Sequence, residues 1–346
     1  MIPLYKPTIK RKDMDSVLTC MVSDRIDHGK ITEDFVSELG TYLGSRGGAA
    51  FRDFGRAVET VLREMGLEKG AGISISPLAP RIYWEVFRDF GIQPVLHDVD
   101  SGNGCLLPET LSQAKGEPSD AIIVTYPLGY VPDLSGIAEL GIPLIEDISE
   151  GLGSNDGEKK AGSYGNYILV GLEADHIITA GGGCAVFSDS RKGGAALKRL
   201  AGTYPKEFLL PDMNSSLGII QVKEVEKYVA RRSEIAGIYS RSLMRSRHKM
   251  LTQRGDAENV FYTFPVFLET GMKEVSAYAR KKGIETAPAF SGTIIEYLQE
   301  NPVEEYDVKA FPNALNLYLR TLAFPLYPML GVKDIEQTGK VLSSLP

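Results

Sequence analysis

The sequence predicts an α/β protein with a large first domain and a smaller second one, on three observations. Short β-branched runs alternate with helical stretches from about residue 49 to 190. Four of those runs are nearly all apolar, as strands covered on both faces are. After Leu217 the alternation gives way to a long charged stretch with spaced apolar residues, and a different set of segments follows.

In chain order the strands are expected at Gly72–Ser76, Gln93–Asp98, Asp120–Thr125, Ile142–Glu146, Tyr167–Gly171 and Cys184–Ser188. Between them Arg56–Gly66 and Pro80–Gly91 carry apolar residues at helical spacing and stop at glycine, which reaches the left-handed conformation of a helix end most easily. Gly181–Gly183 sits between two apolar strands and predicts a tight turn rather than a linker. The stretch from Ile219 to about Arg245 predicts one long helix leaving the first domain. The second domain should hold a strand at Phe261–Phe267, a helix from Val275 to Lys282 ending at Gly283, and a closing helix from about Lys333. The division is expected to fall at 1–235 and 236–346.

Composition narrows the function. The 346 residues are 43% hydrophobic and 24% charged, which excludes a disordered or collagen-like chain and is enough to bury a sizeable core without metal or disulfide. A net charge of -7 provides no positive field for a phosphate backbone, so nucleic acid is not an expected partner. Cys20, Cys105 and Cys184 are far apart and lack Cys/His companions, so neither a disulfide framework nor a metal site is expected. The first residues, Met1–Pro7, carry charge where a signal peptide needs an apolar stretch, and no window approaches a membrane span; a cytoplasmic protein is expected.

In an open parallel sheet ligands bind beyond the carboxyl ends of the strands. Asp147 ends the apolar run Ile142–Ile145. It reads either as a cap on the following turn or as a buried carboxylate kept ionised by a cation, such as a protonated cofactor ring nitrogen.

Several segments, taken in order, carry a resemblance: Ile2–Pro7, Glu146-Asp-Ile-Ser-Glu-Gly-Leu-Gly-Ser154, Gly162–Asn166, Ile178-Thr-Ala-Gly-Gly-Gly183, Gly283–Thr286 and Ala323–Pro328. Together they resemble the DegT/StrS-type sugar aminotransferases, fold-type I pyridoxal phosphate (PLP) enzymes, over nearly the whole chain. The resemblance implies a mostly parallel seven-stranded sheet in the large domain, a small α+β C-terminal domain, and a homodimer with active sites at the subunit interface. It also implies a nucleotide-linked keto sugar as ligand, and places Asp147 where the family holds the cofactor's pyridine nitrogen protonated.

The departures from the family are concentrated at the cofactor. His176 stands at the position of the Schiff-base lysine, and Gly171 at that of a phosphate-binding serine. Imidazole cannot form the internal aldimine, because the chemistry needs a primary amine. The family's Ser-Gly-Thr phosphate cradle is Phe54-Gly55-Arg56 here, with both hydroxyls absent. Arg56 could meet a phosphate or, with Phe54, fill its space. Glu150 replaces a Gln or His beside a cofactor hydroxyl, and the family's Asn and Arg near the long helix align with Glu207 and Leu209.

Other chemistry-bearing residues have bland readings. Lys159 and Lys160 read as solvated loop charges, Tyr83 and Trp84 as core aromatics and His97 as structural, while His28 and His248 have no companions at ligand spacing. Three functions follow. The first is a repurposed family member without PLP transamination, and whether it retains any activity is left open. The second is a dehydratase using pyridoxamine phosphate (PMP) without a covalent tether, with His176 as base. It matches a histidine-bearing branch of the family, yet needs the altered phosphate cradle. The third, an ordinary transaminase, requires an amine from Lys159 or Lys160.

Overall fold

A computed structural model describes residues 1–112, 119–255 and 257–346. Its large sheet has seven strands in the order Gly48–Phe51, Cys184–Ser188, Tyr167–Gly171, Leu144–Asp147, Ala121–Thr125, Gly72–Ile75 and Gln93–Leu96. The pairs from Tyr167–Gly171 to Gln93–Leu96 are parallel, and Cys184–Ser188 runs antiparallel to both its neighbours. The six strands expected in this sheet are all present, within two residues at each end, while the strand expected from Phe261 in the second domain begins at Phe264. Gly48–Phe51 was not foreseen, because Gly-Ala-Ala-Phe lacks the β-branched residues that mark a strand.

Helices cover both faces, and the side-chain alternation of the strands explains how. Along Ala121–Thr125, Ile122 and Val124 enter one apolar core with Phe35, Ile148 and Val170, while Ala121 and Ile123 enter a second with Val58, Phe87 and Leu169. A strand read from both sides has no polar face to show, which is why these runs are continuously apolar. Helices Phe54–Glu64 and Ile82–Phe90 match the expected pair, and Gly91 ends the second at φ 78°. The turn at Gly181–Gly183 has φ of 75°, 117° and 95°, a run of left-handed conformations that side-chain-bearing residues adopt only under strain.

The expected single helix from Ile219 is two, Asp212–Val222 and Val225–Leu243. The break falls at Glu224, whose N–H bonds the Gln221 carbonyl three residues back. Its carboxylate receives Lys12 at 2.6 Å, Lys227 at 3.0 Å and Lys10 at 3.6 Å. Local sequence showed a continuous helical period; two of the three lysines at Glu224, Lys10 and Lys12, come from the start of the first helix, about 210 residues away, and were invisible to it.

A second, antiparallel sheet is ordered Lys249–Met250, Phe264–Phe267, Thr321–Phe324, Ala287–Pro288. Its core joins Ile235, Tyr239 and Leu243 to Phe264, Val266, Leu322, Ile335 and Leu342. We propose the domain division near residue 235 on this basis, since the third core begins there along the long helix. Ile2 also enters that core and donates its N–H to the Gly283 carbonyl.

Candidate active site

At the carboxyl ends of the central strands lies a cavity of about 410 Å³. Strand Leu144–Asp147 delivers Asp147 and the turn after it Ser149 and Glu150, while the loop after Gly171 brings Glu173, Asp175 and His176. Tyr5, Phe54, Tyr126, Tyr262 and Phe290 supply aromatic walls. Four carboxylates and one imidazole thus face the space, and no Lys or Arg is among the described lining residues.

Asp147 is buried and its carboxylate is held by hydroxyls. Tyr83 donates its O–H to Oδ2 at 2.8 Å, while Ser149 donates to Oδ1 from its N–H at 3.0 Å and its O–H at 2.5 Å. Burial pushes the Asp147 carboxyl above the usual range, against the lowering effect of these donors and of His176. Glu150 accepts the Leu128 N–H at 2.6 Å, and desolvation raises its carboxyl to about 8 with Asp147 and Asp175 adding to the rise. The loop carrying Asp175 is tied to Tyr262, whose O–H donates to Asp175 Oδ2 at 2.9 Å.

His176 lies on Gly171. A β-carbon at Gly171 would fall 2.3 Å from His176 Cε1, 2.7 Å from its Nδ1 and 2.9 Å from Ser149 Oγ. The Gly171 N–H donates to Ser149 Oγ at 2.7 Å, and the Glu173 N–H donates to His176 Nδ1 at 3.1 Å. The imidazole therefore needs a glycine beneath it. His176 and Gly171, the two departures expected from the resemblance, are coupled by packing, a link that their spacing in sequence does not reveal.

The phosphate-cradle candidates separate. Phe54 lines the cavity, its ring edge-to-face with Tyr83 at 5.8 Å. Arg56, expected to meet a phosphate or fill its space, is not among the described residues that line it. Its guanidinium pairs at 2.5 Å with Glu59, one turn along the same helix, and stacks at 4.9 Å on Phe208 of the short helix Lys206–Phe208. The Arg56 N–H is capped by Asp53 Oδ1 at 2.8 Å, and Gly55 packs against Asp53, Val86 and Ile82. Leu209 is buried against Phe51 and Glu207 is exposed, so neither reaches the cavity.

The bland readings divide as well. Lys160 pairs with Glu226 at 3.0 Å and Lys159 lies over Tyr164; both are exposed and outside the cavity. His97 is bonded to Ser74 and Thr110, and His248 to Pro346 and Glu269. Trp84 packs on Tyr297 and Tyr306, as expected of a core aromatic. Tyr83, expected in the same role, is buried yet also holds Asp147. Ser149 escaped notice altogether; its only signal was its place two residues after Asp147 in a turn, where a hydroxyl can reach back. Among the described residues no group of His, Cys, Asp and Glu could hold a metal ion, and no helix is long and apolar enough to cross a membrane.

Known proteins show the same architecture. The chain is 22% identical to the spore coat polysaccharide biosynthesis protein SpsC of Bacillus subtilis, over 97% of this chain and 94% of that protein. The crystal structure of the aminotransferase TlmJ from Streptoalloteichus hindustanus superposes with a TM-score of 0.90 at 20% identity, covering 99% of this chain and 98% of that one. A mutant of GDP-4-keto-6-deoxymannose-3-dehydratase (ColD) with bound GDP-perosamine superposes at 0.86 with 17% identity, covering 99% and 100%. At these identities the superpositions establish the fold, that of fold-type I aminotransferases. Residues 7–343 match the sequence model of one family throughout, and the chain belongs to the DegT/DnrJ/EryC1/StrS aminotransferase family.

Proposed function

We propose that this chain is a repurposed family member that does not carry out ordinary PLP transamination. The observation that supports this reading is the packing onto Gly171 of the His176 imidazole, a ring without a condensable amine that the resemblance aligns with the family's lysine. No lysine is among the described cavity residues to replace it.

The residues present do not fit the cofactor's phosphate. The helix start that would receive it is already capped by the Asp53 carboxylate, and Phe54 presents a ring where the family has a hydroxyl. A dianion brought into a cavity faced by four carboxylates would be repelled by those that are ionised, Glu150 at about 8 being protonated at neutral pH, and no Lys or Arg among the described lining residues would offset it. The same carboxylates suit hydroxyl donors. The ligand we propose is the sugar end of a nucleotide-linked sugar, with its phosphates outside the cavity.

The second reading, a PMP-dependent dehydratase with His176 as base, is favoured by the exposure of His176 to the cavity and by the fold shared with ColD. It still requires a phosphate site. For either reading we propose a homodimer. Helix Arg11–Val22 leaves Met14, Leu18, Met21 and Val22 exposed along one face, an apolar stripe suited to a second copy. The three buried free thiols are consistent with a cytoplasmic location.

Absorbance spectra taken with added PLP or PMP, before and after dialysis, test the reading. A colourless protein that retains neither cofactor and yields no borohydride-reducible lysine adduct is expected. Retained PMP at micromolar affinity would establish the dehydratase reading, and a reduced lysine adduct the transaminase.

A further inference from the structure

The geometry points to His176 as a fixed hydrogen-bond donor in the cavity, acting through Nε2–H toward an acceptor oxygen of the ligand, and not as a base. It concerns the same site as the proposed function and rests on that reading for the ligand's identity alone. The assignment begins with the other ring nitrogen. A backbone N–H can only donate, so the Glu173 N–H at 3.1 Å requires Nδ1 to be the bare, accepting nitrogen of neutral imidazole. The proton of the neutral ring is then on Nε2.

Three contacts keep the ring from exchanging the roles of its nitrogens. The Glu173–His176 turn is closed by the His176 N–H, which donates to the Glu173 carbonyl at 3.2 Å and sets the Glu173 amide beside the ring. From below, Gly171 leaves room for the Cε1–Nδ1 edge, and Gly171 itself is tied through Ser149 to Asp147. Tyr262 bounds another side, its ring centroid 6.2 Å from that of His176, and is anchored to Asp175. Flipping the ring would turn a C–H toward the Glu173 amide and leave that donor unpaired. Among the described residues Nε2 has no hydrogen-bond partner, and the ring lines the cavity.

The consequence for chemistry is specific. A base must offer a bare nitrogen to the proton it removes, and in this arrangement the bare nitrogen is occupied by the backbone. Nε2–H instead suits a carbonyl or hydroxyl oxygen, in a cavity whose four carboxylates accept hydrogen bonds and donate none when ionised. His176 is then a fixed nitrogen donor beside them, alongside the Glu150 carboxyl, which keeps its proton below about pH 8.

Long-range ¹H–¹⁵N correlation spectra of the ¹⁵N-histidine-labelled full-length protein, recorded at pH 8 without cofactor or ligand, test this. His176→Gln identifies the resonances by their disappearance. The expected result is one tautomer, with Nε2 protonated and Nδ1 bare, and in Gly171→Ala a mixture of tautomers as the added methyl pushes the ring off the Glu173 amide. A bare Nε2 or mixed tautomers in the wild type would overturn the proposal, as would a Gly171→Ala spectrum equal to that of the wild type. The wild-type spectrum decides alone if Gly171→Ala does not fold. Because no cofactor is added, the outcome is independent of the PLP and PMP binding that tests the proposed function.

Discussion

The phenolic O–H of Tyr83 donates to Oδ2 of Asp147 at 2.8 Å, with both residues buried and Asp147 lining the cavity. A helix residue with the outward signature of core packing is thus the partner of the carboxylate on which the site is built. Tyr83→Phe removes that donor while keeping the ring. Hydrogen bonds to a charged group contribute about 1.5–3 kcal/mol, and those between neutral groups about 0.5–1.5 kcal/mol. The loss in urea denaturation should therefore be greater at the upper end of the stable pH range than at the lower, since burial raises the Asp147 carboxyl and its ionisation comes with rising pH. An equal loss at both would show that the bond does not respond to charge.

Glu150 makes stability depend on pH. Its carboxyl is raised to about 8 in the fold, while in the unfolded chain it titrates near the ordinary glutamate value. Between those values the folded state binds the extra proton, so stability falls as pH rises toward 8 and levels off above it. One full proton corresponds to a slope of about 1.4 kcal/mol per pH unit. Glu150→Gln should flatten this part of the profile, measured as denaturation midpoints from pH 5 to 9.

The packing of His176 on Gly171 predicts non-additive stabilities. Gly171→Ala forces a methyl against the ring and should cost about 1–3 kcal/mol. In a His176→Ala background the space is vacated, and the same substitution should cost much less. A double-mutant cycle with additive losses would show that the two positions do not share the space.

Threonine at position 56, the residue that the resemblance aligns there, should not create a phosphate site. Arg56→Thr removes a surface pair with Glu59, at a cost of about 0–1 kcal/mol, and leaves the Asp53 cap in place. Equilibrium dialysis against PMP should detect no gain in binding. A gain would mean that the guanidinium obstructs the cofactor from outside the cavity. Asp53→Ala, by contrast, removes the cap and should lower stability by about 0.5–2 kcal/mol in thermal unfolding.

The sheet was legible because its strands are apolar on both sides and its helices end in glycine, signals that are local in sequence. Asp147 and His176 were legible through their places after Ile145 and before the Gly-rich turn, and the structure brings both to one cavity. What stayed hidden depends on contacts between distant segments. Tyr83 meets Asp147 across 64 residues, and Ser149 meets Gly171 across 22. Glu224 interrupts a helix whose local pattern is unbroken. The direction of the Arg56 guanidinium, toward Glu59 and Phe208, was not legible, because sequence assigns a residue to a helix start without fixing the course of a long, flexible side chain.

Trp84 follows Tyr83 on the same helix and rests against Tyr297 and Tyr306. It is also the chain's single tryptophan. Indole emission from this protein therefore comes from one place, at the seam between the Asp147-bearing side and the segment that continues from the cavity wall at Ala289–Thr293. Any ligand that draws that wall inward changes the surroundings of one fluorophore, and the molecule needs no dye to report it.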